Sequence, residues 1–161
     1  NIWGYLWGKM GYGALLFATA LTPESMSDAM DPAQWRPVYA ALGHEVMRLA
    51  QAEGVTPLGF NGFDPDAFLT RDTARMDASI DAMVAHNRKT AKTHSGIYRD
   101  LAIRKRKTEV DAQVGVLIEI GRGHGIPTPA LSELCNLIHG IENGTRTQST
   151  ALLDRMVATC S

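Results

Sequence analysis

Apolar residues recur every three to four positions along almost the whole of this 161-residue chain. That is the spacing of one face of an α-helix, not the two-residue alternation of a strand. Trp3, Leu6, Trp7, Met10, Ala14, Phe17 and Leu21 make one such stripe, and Thr22-Pro23 ends it. Gly4, Gly8, Gly11 and Gly13 weaken that helix intrinsically, so they predict that other backbone, or a ligand, comes close there. A short helix is expected over 23–30. The next is bounded by Asp31 as N-cap, Pro32 at the first helical position, Gln34 closing a capping box and Gly54 as terminator. Its stripe is Trp35, Val38, Tyr39, Leu42, Val46, Leu49 and Ala50.

Residues 55–70 hold Pro57, Gly59, Gly62 and Pro65 and read as loop with a turn of helix at 66–69. The helical period returns from Asp72 (Met76, Ile80, Met83, Val84), over 96–104, and from Thr108 to the glycines at 121–125. It continues from Thr128-Pro129 to Asn143-Gly144, with Leu131, Leu134, Cys135 and Ile138 inward, and over 148–160. The segment 114–120 has a strand-like composition, but it sits inside a longer helical period. The fold class is all-α, a compact bundle of about seven or eight helices forming a single domain over 1–161.

With 45% hydrophobic residues, 20% charged and a net charge of −1, the chain has an ordinary globular composition and no global bias toward nucleic acid or membrane. Two cysteines, Cys135 and Cys160, are no disulfide framework and read as free, partly buried thiols of the reducing cytoplasm. The first residue is Asn1, so the chain reads as an excised fragment or a processed product. Lys9 followed by the apolar run 10–17 mimics a signal peptide, but the residues before Lys9 are not a charged stretch. A membrane span over 2–21 would place Lys9 near the bilayer centre at a cost of ~2.5–3.5 kcal/mol, so a buried helix is the better reading.

Lys9 has Tyr5, Leu6, Tyr12 and Gly13 as helical neighbours. Aromatic company can desolvate a lysine and suit it to proton transfer, although a stem lying on apolar surface with its amine in water is the commoner arrangement. Glu109 stands at a helix start, where acids complement the dipole. Half of the basic residues fall in 88–107, a stretch that could meet phosphate, nucleic acid or a neighbouring domain, and a solvated face is the simpler account. Gly121-Arg122-Gly123-His124-Gly125 reads as a helix C-cap, because no strand precedes it. The histidines His44, His86, His94, His124 and His139 show no HxxxH or HExxH spacing, so no metal site is expected. No nucleophilic hydrolase signature occurs.

Three segments carry a family likeness. Ser95-Gly96-Ile97-Tyr98-Arg99-Asp100-Leu101, then Arg106-Lys107-Thr108-Glu109-Val110-Asp111-Ala112, then Gly125-Ile126-Pro127-Thr128-Pro129 resemble the C-terminal domain of ketopantoate reductases (2-dehydropantoate 2-reductases). Trp7-Gly8-Lys9-Met10 is similar to the family's Trp-x-Lys at the start of that domain. The likeness implies a helical domain related to that of 6-phosphogluconate dehydrogenase. In the family this domain follows an N-terminal Rossmann domain that binds NADP(H), and the active site lies between the two. It further implies Lys9 as catalytic lysine, Glu109 as essential glutamate, and Ser95 or Gly96 near the substrate carboxylate. The activity implied is hydride transfer from NADPH to a small 2-oxo acid in the cytoplasm, as in pantothenate biosynthesis. This chain alone, with no confident cofactor-binding residue of its own, is expected to be inactive.

The family's asparagines one and two turns after the lysine are Gly13 and Phe17 here, and a third is replaced near Thr93. The lysine and glutamate persist while polar substrate contacts do not, which points to a different, bulkier or more apolar 2-oxo acid with Gly13 on the substrate side. Two other readings stay open: a helical dimerisation or interaction module without activity, pairing as a homodimer, and a nucleic-acid-binding domain using 88–107.

Overall fold

Among the described residues, 1–160 of the computed structural model, the helical period resolves into nine α-helices, more than the sequence predicted, with no strand beyond an isolated Phe60–Phe63 bridge. They are α1 (Ile2–Thr19), α2 (Met26–Met30), α3 (Arg36–Ala52), α4 (Pro65–Thr70), α5 (Thr73–Lys89), α6 (Gly96–Ala102), α7 (Val116–His124), α8 (Pro129–Glu142) and α9 (Thr150–Cys160). A 3-10 turn, Ala33–Trp35, precedes α3, and a π-helical turn, Asp111–Gly115, runs directly into α7.

The turn of helix expected at 66–69 is present as α4, one residue longer at each end, because Pro65 occupies its first position and the Asp64 side chain accepts from the Ala67 amide at 3.5 Å. One local expectation fails for an identifiable reason. The capping box at Asp31 does not form. Asp31 instead follows the last residue of α2, and its carboxylate is drawn to Arg36 (3.2 Å) and Arg88 (3.6 Å). The intervening residues tighten into the 3-10 turn, so α3 starts at Arg36.

α3 is the central helix: its whole expected stripe is buried, and it packs against α1, α4, α8 and α9. Each large side chain fully buried there, such as Leu42 or Tyr39, contributes on the order of 1.5–3 kcal/mol. The α1 stripe divides. Trp7, Ala14, Phe17 and Leu21 are buried, but Trp3 is 63% exposed and Leu6 37%, because the first turns of α1 run out beyond the other helices. Gly4 and Gly8 have the expected close approach of backbone, whereas Gly11 meets the Phe63 and Met47 side chains and Gly13 meets no backbone. The Leu58 amide donates to the Gly4 carbonyl at 2.9 Å, and a Cβ at Gly8 would overlap the Leu58 carbonyl oxygen. Among the described residues no helix is long and apolar enough to cross a membrane.

Charged side chains on long-range partners fix the helices relative to one another. Glu45, in the middle of α3 and only 8% exposed, accepts the Ala130 and Leu131 amides at 2.9 Å each. It thereby caps α8, whose own N-cap, Thr128, makes no side-chain cap bond. Burial pushes the Glu45 carboxyl above its usual range, against the two amides and Arg71, which pull it down. Arg36 joins Asp31, Asp77 and Asp81 across α2, α3 and α5.

Candidate active site

Lys9 projects from α1 into a cleft of about 170 Å³ lined by Leu6, Met10, Ala14 and Phe17 of the same helix and by Ala112, Gln113 and Val114 of the π-helical turn. A π-turn inserts an extra residue into a helix, and such insertions recur where a side chain must be re-aimed at a functional site. Here the turn brings Gln113 to the cleft with its amide nitrogen donating to the Glu109 carboxylate at 2.8 Å. The Gln113 main-chain amide donates to the Glu109 carbonyl at 2.9 Å, so the two residues are coupled through backbone and side chain. Lys9 therefore shares a cleft with a side chain that bonds Glu109, a hundred positions away in sequence. Glu109 itself is not part of the cleft lining.

Gly13 faces the same region: a Cβ there would lie 4.0 Å from the Gln113 side-chain oxygen, with nothing nearer. Phe17, only 1% exposed, forms part of the apolar wall. The positions where the family usually has asparagines therefore present open space and a ring.

The aromatic enclosure expected around Lys9 is not supplied by this chain. Tyr5 meets Phe60 edge-on at 5.8 Å, and Tyr12 turns toward α5, where its hydroxyl donates to Asn87 Oδ1 at 3.2 Å. Burial raises the Tyr12 hydroxyl above its ordinary value, so it stays protonated and structural. Lys9 is left exposed beside the uncovered Trp3 and Leu6.

Ser95 and Gly96 are not in the cleft lining. Ser95 is 3% exposed, and its hydroxyl accepts the Tyr98 amide at 3.1 Å as the N-cap of α6. Among the described residues, three of the eight basic residues in 88–107 are paired with acids. Arg88 pairs with Asp28 (3.4 Å) and Asp31, while Arg104 and Arg106 both bind Asp100, at 3.0 and 2.8 Å. Gly125 takes a left-handed φ of 67° as the C-cap of α7, as the sequence predicted. His44, His94, His124 and His139 each bond a different segment of the chain.

Size alone would select another hollow, of about 660 Å³, lined among others by Tyr98, Leu101, Lys105, Arg106, Glu142 and Arg146. The smaller one by α1 sets the Lys9 amine and the Gln113 amide on an apolar wall, with the Gln113-held Glu109 outside its lining, and an amine and an amide on an apolar wall suit a carbonyl ligand. Sequence reasoning missed Gln113 and Glu45. The signal available for Gln113 was its position one helical turn after Glu109, and for Glu45 a carboxylate interrupting an apolar stripe.

Comparison with known proteins agrees with the helical fold. The family model described as "Ketopantoate reductase PanE/ApbA C terminal" matches residues 1–142. No curated protein matches the chain. Among solved structures, the ternary structure of D-mandelate dehydrogenase with NADH and anilino(oxo)acetate is similar, with a TM-score of 0.68 at 18% identity. The similarity covers 86% of this chain and 40% of that one, so this chain spans less than half the length of that enzyme. A helical domain over 1–142 with that fold belongs to the ketopantoate reductase C-terminal domain family.

Proposed function

We propose that this domain is the substrate side of a cytoplasmic reductase that uses NADPH to reduce a 2-oxo acid. Its nucleotide-binding partner is an N-terminal Rossmann domain of the same protein. The observation that carries this reading is the Lys9 cleft, with Gln113 on its wall holding Glu109. The donor set fits a 2-oxo acid: an ammonium for the keto oxygen, a polar amide, and an apolar wall for the substituent. The nicotinamide, when bound by the partner domain, supplies the hydride.

Lys9 donates a hydrogen bond to the keto oxygen and delivers a proton to that oxygen as negative charge develops on it. Gln113 fixes Glu109 at the rim, where the carboxylate orients the lysine or holds the product hydroxyl. The exposed Trp3 and Leu6, next to the cleft, are the apolar surface that the partner domain covers. That covering also removes water from Lys9 and strengthens its interaction with the substrate. With Phe17 lining the site and no side chain at Gly13 beside it, the substituent next to the keto group is larger or more apolar than one held by asparagines. Ser95 and Gly96 enter as contacts for the substrate carboxylate through the start of α6, and an unchanged KM in Ser95→Ala removes them from the site.

The test is a reductase assay of the full-length protein, this domain together with its nucleotide-binding domain, with NADPH and with NADH across a series of 2-oxo acids. Turnover is expected with apolar 2-oxo acids, and Lys9→Ala should reduce kcat by ~10²–10⁴-fold, the usual worth of a positioned proton donor. Turnover retained in Lys9→Ala would refute the assignment. A full-length protein that instead pairs with a second copy through Trp3 and Leu6 and shows no nicotinamide oxidation with any 2-oxo acid is the dimerisation module of the alternative reading.

A further inference from the structure

On the far side of the π-helical turn from Lys9, three side chains of different chemistry converge. Cys135 and His139 stand one turn apart on α8, so they project from the same face. Asp111, at the start of the π-helical turn, reaches them from the neighbouring element. The Cys135 sulfur lies 3.8 Å from His139 Nε2 and 4.0 Å from Asp111 Oδ1, and that oxygen lies 2.7 Å from Nε2. All three potential ligand atoms fall within 4.8 Å of one another. The histidine spacings predicted no metal centre, but the helix packing supplies a mixed sulfur, nitrogen and oxygen set that a search for paired histidines passes over.

The arrangement is not that of a thiol–imidazole–carboxylate relay. Such a relay needs the thiol on one ring nitrogen and the carboxylate on the other. Here both approach Nε2, so no proton can be passed through the ring from one to the other. Burial, with Asp111 and Glu142 nearby, also pushes the Cys135 thiol up, which makes it a poor nucleophile.

We propose that Asp111, Cys135 and His139 are a three-ligand site for a zinc-type divalent cation. For bond lengths of ~2.3 Å to sulfur and ~2.0–2.2 Å to nitrogen and oxygen, tetrahedral ligation separates ligand atoms by roughly 3.4–3.6 Å. The two sulfur distances are close to those edges. Only the nitrogen–oxygen gap is too short, and the Asp111 side chain, 81% exposed, is free to rotate outward. His139 is 42% exposed and Cys135 7%, so the sulfur lies at the base and the remaining coordination position opens to solvent. The Asp111 carboxylate beside the sulfur and the imidazole supplies negative charge where a cation would sit. Sulfur, nitrogen and oxygen together suit zinc rather than magnesium or calcium, which take oxygen ligands.

The site ties the π-helical turn to α8. Asp111 stands between Glu109 and Gln113, so a bound cation would hold the wall of the Lys9 cleft without touching the reacting groups. It stands independently of the reductase reading, because ligation is measured without substrate.

The test is titration of the reduced, metal-free full chain with cobalt(II), followed by absorbance. The expected result is one equivalent bound, with a thiolate-to-cobalt charge-transfer band and the intense ligand-field bands of a four-coordinate ion, all bleached by zinc. Cys135→Ser should abolish the charge-transfer band, while Cys160→Ser leaves it. His139→Gln and Asp111→Asn, both at exposed side chains and expected to keep wild-type helicity, should weaken binding by at least about tenfold. No charge-transfer band at saturating cobalt, or a band that survives Cys135→Ser, overturns the site. If Cys135→Ser does not fold, unchanged affinity in His139→Gln overturns it equally.

Discussion

Removing the Glu45 side chain should cost far more stability than any surface charge in this domain. In Glu45→Ala the Ala130 and Leu131 amides, each 2.9 Å from a carboxylate oxygen in the wild type, are left at a buried helix terminus without a partner. An orphaned buried donor costs ~1–3 kcal/mol, so two give roughly 2–6 kcal/mol. Part is returned because the variant no longer buries a carboxylate, which leaves a net loss of ~2–4 kcal/mol. Glu45→Gln keeps one acceptor and turns an NH₂ group toward the other amide, so its loss should be ~1–3 kcal/mol.

The pH dependence carries an independent signature. Burial holds the folded Glu45 carboxyl above its unfolded value of about 4.5, against the two amides and Arg71. A carboxyl raised on folding contributes its full stability below the unfolded pKa and loses it as pH rises through the folded one. The deficit of Glu45→Gln relative to wild type should therefore be largest near pH 4 and shrink toward neutrality. Urea denaturation followed by circular dichroism at both pH values measures this. A Glu45→Ala midpoint within ~0.5 kcal/mol of wild type at an unchanged m-value would show that α8 does not depend on this cap.

Other outcomes follow from single contacts. Gly8→Ala should destabilise the fold by several kcal/mol or prevent folding, because its Cβ meets the Leu58 backbone, whereas Gly13→Ala, with 4.0 Å of clearance, should gain ~0.5–1 kcal/mol of helix stability; equal thermal midpoints for the two would contradict the packing of α1. Gln113→Ala should lower kcat of the full-length reductase while leaving the melting temperature near wild type, since it frees Glu109 without opening the core; a matching loss in both would make Gln113 structural. The Cys160 thiol is pushed up to about 11 by burial and by Glu45, so its alkylation by iodoacetamide near pH 8 should run on the order of 100-fold slower than that of a free thiol and speed up with rising pH; rapid labelling in the folded state would contradict its burial.

Much of the fold was legible because helices write a local code. The α3 stripe from Trp35 to Ala50 needs only its own spacing to declare one buried face, and all of it is buried. Gly4 and Gly8 of α1 announced a close approach of backbone, although not which segment would come, while Gly11 and Gly13 met none. The Asp31 cap failed because a local signal competed with a distant one, and Arg36 and Arg88 took the carboxylate that the cap required.

From the order of residues alone came the all-helical class, the approximate bounds of the helices, and Lys9 and Glu109 as the residues to watch. Which helices meet was settled only by packing in three dimensions. Glu45 finds α8 across 85 positions, Cys135 and His139 find Asp111 across 24 and 28, and Lys9 shares a cleft with Gln113 on the opposite side of the same π-helical turn. A helical period specifies which face of a helix is buried. It does not specify which neighbour covers that face, because that choice is made by the shapes and charges of all the faces at once.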